Sequence, residues 1–490
     1  MRRSGIILPI FSLPSNYGIG TLGKEAYRFV DFLEKSQMNL WQILPVGPTS
    51  YGDSPYQSFS TFAGNPYFID LELLVEKGLL EKKEIEKYDF GNFENDIDYG
   101  MIYSNRYKVL KIAYKNIDKR LREKINLFKE KNKGWLYDYS LFMSIKDYKG
   151  GISWKEWEDD IRFRKPQTIL KYSNLLKNEI EFYNFLQYIF YYQWENLKNY
   201  ANDKGIKIIG DIPIYVAEDS SDIWSNPEIF MLDENLMPKE VSGCPPDAFS
   251  ETGQLWGNPI YNWEELKNQG YRWWIERIKS SLNIFDIIRI DHFRGFESYW
   301  SIPYEDDTAI NGQWERGPGI ELFDAIKKEL GEIEIIAEDL GFITQEVREM
   351  LDYCGYPGMK VLQFAFDPEG NSEYLPHNYD KNVVVYTGTH DNDTIKGWFN
   401  SISEDEREFC KKYTGMKDDD DNWTFIKCAI SSIAETSILQ MQDILNLDKD
   451  ARINIPSTLG NNWRWRMKKD DTTDELAEKL RTINSLYGRI

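Results

Sequence analysis

The 490-residue sequence predicts an α/β protein built on a (β/α)8 (TIM) barrel, with large, mainly helical and irregular insertions at the C-terminal face of the barrel. Two observations carry that prediction. Eight short, near-continuous apolar runs recur along the chain with helical segments between them, as parallel strands buried on both faces require. In addition, three of these runs end in or are followed by carboxylates, at the strand ends that a closed barrel brings to one mouth. An open doubly wound sheet is the alternative, but no Gly-rich phosphate loop follows any run.

The first run covers residues 5–10. Residues 24–37 follow with Ala26, Phe29, Val30 and Leu33 at helical spacing. The second and third runs are 41–46 and 206–216. The fourth, 286–293, reads DIIRIDHF. The remaining runs are 333–338, 359–364, 383–386 and 451–456. Some 160 residues separate the second run from the third, against the ~30 that a simple crossover unit needs. We therefore expect one catalytic domain over 1–490, with a mainly helical insertion at 67–205. Residues 180–202, stopping before Gly205, and 99–131 form its long helices. A second insertion at 217–285 is rich in Pro, Gly, Ser and Trp and reads as irregular. Residues 418–421, four aspartates, read as a solvated loop.

Composition narrows the function. The net charge is −21, from 59 basic and 80 acidic residues, and no basic patch stands out, which argues against a nucleic-acid partner. Aromatics make up 15% of the chain. Most read as core, but any that line a cleft offer flat apolar platforms for sugar rings. Cys244, Cys354, Cys410 and Cys428 show neither a CxxC pair nor metal-ligand spacing and read as reduced thiols. The apolar run near the N-terminus is too short for a signal peptide and contains Pro9. No run approaches a membrane span. These features place the protein in the cytoplasm, with no membrane partner.

The chemistry gathers at the strand ends. Arg289 and Asp291 lie two apart and project to one side of the fourth run, with His292 beside them. Taken alone, that is equally a structural ion pair capping a strand. Glu338 ends the fifth run, and Asp391 follows the seventh beside His390. Two carboxyl groups on adjacent strands suit glycosidic-bond chemistry, one protonated to assist a leaving oxygen and one ionised to attack the anomeric carbon. Arg289 favours the ionised form of Asp291. Glu338, with no cation nearby in sequence, is the candidate acid. Asp391 is suited to bind hydroxyls and steady positive charge at the ring. A metal site is the competing reading, but HxH, HxxxH and HExxH spacings are all absent. The reading calls for no metal and no cofactor.

Eleven motifs, in order along nearly the whole chain, resemble the 4-α-glucanotransferases (amylomaltases, or disproportionating enzymes), relatives of the α-amylases. They are SLPSNYGIG at 12–20, WQILP at 41–45, YGDSPYQS at 51–58, AGNP at 63–66, GDIPIY at 210–215, GCPPD at 243–247, GQLWGNP at 253–259, RIDHFRG at 289–295, AEDLG at 337–341, THDNDT at 389–394 and NNW at 461–463. The resemblance implies a barrel enzyme that moves 4-α-glucan segments between maltooligosaccharides or α-1,4-glucans. It assigns the nucleophile to Asp291, the acid/base to Glu338 and the transition-state stabiliser to Asp391. Sugar contacts fall on Arg289, His292 and His390, with stacking on Tyr56. A flexible loop over the cleft matches 245–256, with Asp247 and Trp256 as contacts. Asn462 and Asp367 match further contacts, and Tyr51 a residue of a remote glucan-binding groove. A glucan-binding scaffold without activity is the reading from another class; the complete carboxylate triad argues against it.

Overall fold

The computed structural model describes residues 2–50, 52–91, 93–246, 250–417 and 422–489. Tyr51, Asp247 and the 418–421 run lie outside them.

Eight parallel strands form one sheet. They are β1 (Arg3–Ile7), β2 (Leu40–Gln42), β3 (Lys207–Pro213), β4 (Ile287–Asp291), β5 (Ile335–Ala337), β6 (Gly358–Val361), β7 (Val383–Tyr386) and β8 (Thr436–Gln440). Consecutive strands pair except β5 and β6, which are the two ends of the sheet, and β8 returns to β1 with Arg3 opposite Thr436 and Ile7 opposite Gln440. Between β5 and β6 the Ala337 N–H donates to the Pro357 carbonyl at 3.0 Å, bringing the two ends of the sheet together. This is the expected (β/α)8 barrel.

The helices between strands bury the stripes that their periodicity announces. Lys24–Lys35 buries Ala26, Phe29, Val30, Phe32 and Leu33. Lys177–Asp203 runs just past the expected helix at 180–202 and stops before Gly205, whose φ of 74° suits a residue without Cβ. The segment 99–131 is two helices, Tyr99–Lys115 and Lys119–Lys131, because Asp118 caps the second by accepting from the Leu121 N–H. Arg489 anchors the end of the described chain by donating to the carbonyls of Arg3, Ile430, Ser432, Ala434 and Glu435. No described helix is long and apolar enough to cross a membrane.

Two expectations need correction. Residues 451–456 are not the eighth strand. They form a 3-10 turn (Lys449–Ala451) followed by a loop, with Ile453 buried and Ile455 48% exposed. The eighth strand is Thr436–Gln440, where buried Thr436, Ser437 and Gln440 break the apolar run that marks the other strands. The 217–285 segment, read as irregular, holds the strands Glu240–Cys244 and Gln254–Pro259 and the helices Trp263–Asn268 and Arg272–Ile284. Its strands join Ser298–Pro303 and Gln313–Arg316 in a four-stranded antiparallel sheet.

Candidate active site

Strand register assembles the first half of the site. Asp211 on β3 lies opposite Arg289 on β4. The Arg289 Nη1 donates to both Asp211 carboxylate oxygens, at 2.7 and 2.6 Å, and to Asp291 Oδ1 at 3.0 Å. The Asp211 side chain is 0% exposed and that of Arg289 4%, so this pair works in a low-dielectric setting. Tyr56 adds its hydroxyl, donating to Asp211 Oδ2 at 2.8 Å. The cation next to Asp291 is thus shared, and the shorter bonds go to Asp211.

Ile290 on β4 pairs with Ala337 on β5, so Asp291 and Glu338 occupy the next row, on strands ~4.8 Å apart. Glu338 is buried, and both its oxygens accept backbone N–H groups, from His292 at 2.7 Å and Leu340 at 2.7 Å. Burial, and next the charge of Asp291, push Glu338 up to about 7. Burial also pushes Asp291 up to about 6, against the pull of Arg289. The Asp291 side chain stays 31% open to the cleft, so water eases its charge more than that of Glu338. A proton shared by the pair therefore resides on Glu338.

The loop after β7 supplies the third carboxylate. Asp391 Oδ2 lies 3.3 Å from His390 Nε2, and Oδ1 accepts the Asn454 amide at 2.6 Å. Arg452 donates to the Asp391 carbonyl at 2.6 Å. Burial opposes the charge on Asp391, but 44% of its side chain is open, and His390 and Asn454 hold it down at about 2. Burial lowers the proton affinity of His390, and Asp391 outweighs it, so His390 sits above its usual range. The His390 ring stacks on Tyr56 at 5.1 Å and 21°, with Trp463 5.9 Å from each ring.

The other expected residues divide. His292 holds a left-handed backbone (φ 52°), which costs of order 1 kcal/mol and aims its N–H at Glu338. Burial first, then Arg294, depress its ring to about 3, so it is a neutral imidazole at pH 7. Trp256 meets the His292 ring edge-on at 4.7 Å. Asp367 is exposed on the loop beyond β6 and accepts from the Glu369 N–H. Asn462 braces the 455–462 loop through Ile455 and Thr458 and directly precedes Trp463.

Asp211, Asn454, Arg452 and Trp463 belong to the site and were not among the expected side chains. Each lay in a stretch that the sequence had marked, Asp211 near the end of the third run, Arg452 and Asn454 in the 451–456 run and Trp463 in the NNW motif, but none was marked as a site side chain. Among the described residues no group of three or more His, Cys, Asp or Glu side chains is arranged to hold a metal ion.

A family model described as "4-alpha-glucanotransferase" matches residues 8–472. The chain is 56% identical to the 4-alpha-glucanotransferase of Clostridium butyricum over 98% of its own length and 99% of the relative's. It is 45% identical to that of Aquifex aeolicus, with both chains fully covered. The solved structure of amylomaltase from Streptococcus agalactiae in complex with acarbose superposes over the whole of both chains with a TM-score of 0.98 at 43% identity. A mouth with three carboxylates on a complete barrel, and likeness along the full chain, lead to one conclusion: the protein belongs to the 4-alpha-glucanotransferase family of enzymes.

Proposed function

We propose that the protein is a retaining transglycosylase that exchanges 4-α-glucan segments between maltooligosaccharides or α-1,4-glucans, which serve as both donor and acceptor. The observation that carries this reading is geometric: two carboxyl groups stand at the ends of adjacent strands, Asp291 held by Arg289 at 3.0 Å and open to the cleft, Glu338 buried against the His292 and Leu340 N–H groups. Asp291 attacks the anomeric carbon while Glu338 gives its proton to the departing 4-oxygen. The product is a covalent glucosyl-enzyme and a shortened glucan with a free 4-hydroxyl. Glu338, now ionised, takes the proton from an acceptor 4-hydroxyl, which attacks the same carbon and releases Asp291. Asp391, kept charged by His390 and Asn454, steadies the positive charge that develops at the ring. In this reading Arg289, His292 and His390 contact sugar hydroxyls, and Tyr56 and Trp256 stack on rings. Asp367 and Asn462 fit more distant contacts, Asp247 a contact from the loop, and Tyr51 a remote groove.

Water in place of the acceptor would make the same site a hydrolase, so the product pattern decides. Incubation with maltotriose is expected to yield glucose and a ladder of longer maltooligosaccharides at constant reducing-end concentration, with or without a chelator. Glucose and maltose alone, with rising reducing ends, would refute the transferase reading.

Burial raises the proton affinity of both carboxyl groups, which predicts a narrow pH profile. Activity needs Asp291 ionised and Glu338 protonated, so kcat/KM peaks between about 6 and 7. It falls on the acid side as Asp291 takes a proton and on the alkaline side as Glu338 loses one. The two limbs report the pair rather than either group alone. With an α-maltotriosyl fluoride donor, whose leaving group needs no proton, Glu338→Gln is expected to lose the alkaline limb of the first step. A limb that persists would show that another group titrates.

A further inference from the structure

Beyond the carboxylates, two exposed aromatic side chains are tied to the loop that follows Glu338. Phe342, on the loop that follows Glu338, is 76% exposed. Leu340 is tethered by its N–H to the Glu338 carboxylate, and Gly341 then turns the chain with a φ of 89°. That left-handed residue presents Phe342 outward. Trp314, on the edge strand Gln313–Arg316, is 40% exposed. Its ring meets Trp300 edge-on at 5.2 Å and carries the Arg294 guanidinium 3.9 Å from its centroid.

Arg294 joins the two. Its Nη1 donates to the Phe342 carbonyl and its Nη2 to Ser298 Oγ at 3.2 Å. It is 5% exposed, its buried Nε has no hydrogen-bond partner, and among the described residues no carboxylate pairs with it. A guanidinium in this position is held by its packing, with the indole face supplying a cation–π contact. It fixes Trp314 against the Glu338 loop.

Flat apolar surface on a soluble rim, rigidly attached to the loop of the acid, suits one kind of occupant: the apolar faces of successive glucose rings. Which end of the glucan lies there follows from chemistry. The acid gives its proton to the leaving sugar and later takes one from the acceptor, so the sugars nearest the Glu338 loop are those on the leaving and acceptor side. We propose that Trp314 and Phe342, braced by Arg294, form an acceptor-side glucan platform that favours longer acceptors. The inference rests on the transglycosylase reading above and adds to it a place where a second or third acceptor glucose is held.

Calorimetric titration of the full-length protein carrying Asp291→Asn, which cannot turn the sugars over, with maltoheptaose and with maltose tests the platform apart from transfer. Trp314→Ala is expected to weaken maltoheptaose binding about 10-fold and Phe342→Ala about 3-fold, with maltose binding unchanged and Trp314→Phe close to wild type. In the transfer assay, the two alanine variants raise the KM for a maltotetraose acceptor by similar factors and leave kcat and the glucose acceptor unaffected. Phe342 is too exposed for its removal to disturb packing, so it decides the matter if Trp314→Ala proves unstable. Unchanged maltoheptaose binding in Phe342→Ala, or equal weakening of maltose and maltoheptaose, would overturn the platform. Hydrolysis without transfer by the wild type, with normal chain-length dependence of binding, would instead overturn the transferase reading and leave the platform in place.

Discussion

Asp291→Asn is expected to abolish transfer and hydrolysis together, by about 10^4-fold or more, because the amide cannot form the glucosyl ester through which both reactions pass. The fold should not suffer. Arg289 keeps its two shorter bonds to Asp211, and the amide retains the size of the carboxylate. Stability is expected to rise at pH 7. Both Asp291 and Glu338 have folded-state affinities raised by burial, so their ionised forms oppose folding. The favourable contribution of such groups is complete below their unfolded values, near 4, and is lost as pH rises through about 6 to 7. The stability gain in Asp291→Asn should therefore be present at pH 7 and absent at pH 4. Paired thermal melts at the two pH values check this; a variant that keeps activity, or that melts lower at pH 7, contradicts the assignment.

The second large effect belongs to Asp211, whose side chain is fully buried behind Arg289 and Tyr56. Asp211→Asn leaves a guanidinium that is 4% exposed with a single charged partner, and breaking a buried pair in this way costs on the order of 3–5 kcal/mol. Tyr56 loses its acceptor charge, and with it the orientation of its stack on His390. Displacement of that kind costs on the order of 10^2-fold in rate. A distinguishing signature follows from the sharing of Arg289. Asp211 raises the proton affinity of Asp291, and Arg289 lowers it. Without Asp211 the undivided cation pulls Asp291 down, so the acid limb of the rate profile should move to lower pH. A purely structural role would lower stability and leave that limb in place.

The barrel and its carboxylates were legible because each relies on a local signal. In β4, apolar residues lead into a charged end that strand stability does not explain, and Glu338 follows directly on β5. β8 was not legible because the packed interior at that point takes small polar residues, with Thr436 and Ser437 buried. The decoy at 451–456 has Ile453 and Ile455 at strand spacing, yet its task is to deliver Asn454 to Asp391. The partnership of Asp211 and Arg289 depends on register between strands more than 70 residues apart, which no local pattern encodes. The antiparallel sheet was hidden for a similar reason. Its central strand EVSGC has low intrinsic strand preference and is held by pairing with Ser298–Pro303, far along the chain.

The most direct test of the account is mass spectrometry of Glu338→Gln incubated with α-maltotriosyl fluoride. Fluoride departs without a proton, so the first step proceeds; the substituted amide cannot activate an acceptor, so the intermediate accumulates. The account predicts a mass increase of one maltotriosyl unit, mapped to the peptide that carries Asp291 and absent when Asp291→Asn is added. Fluoride release with no adduct, or an adduct on another residue, would contradict it.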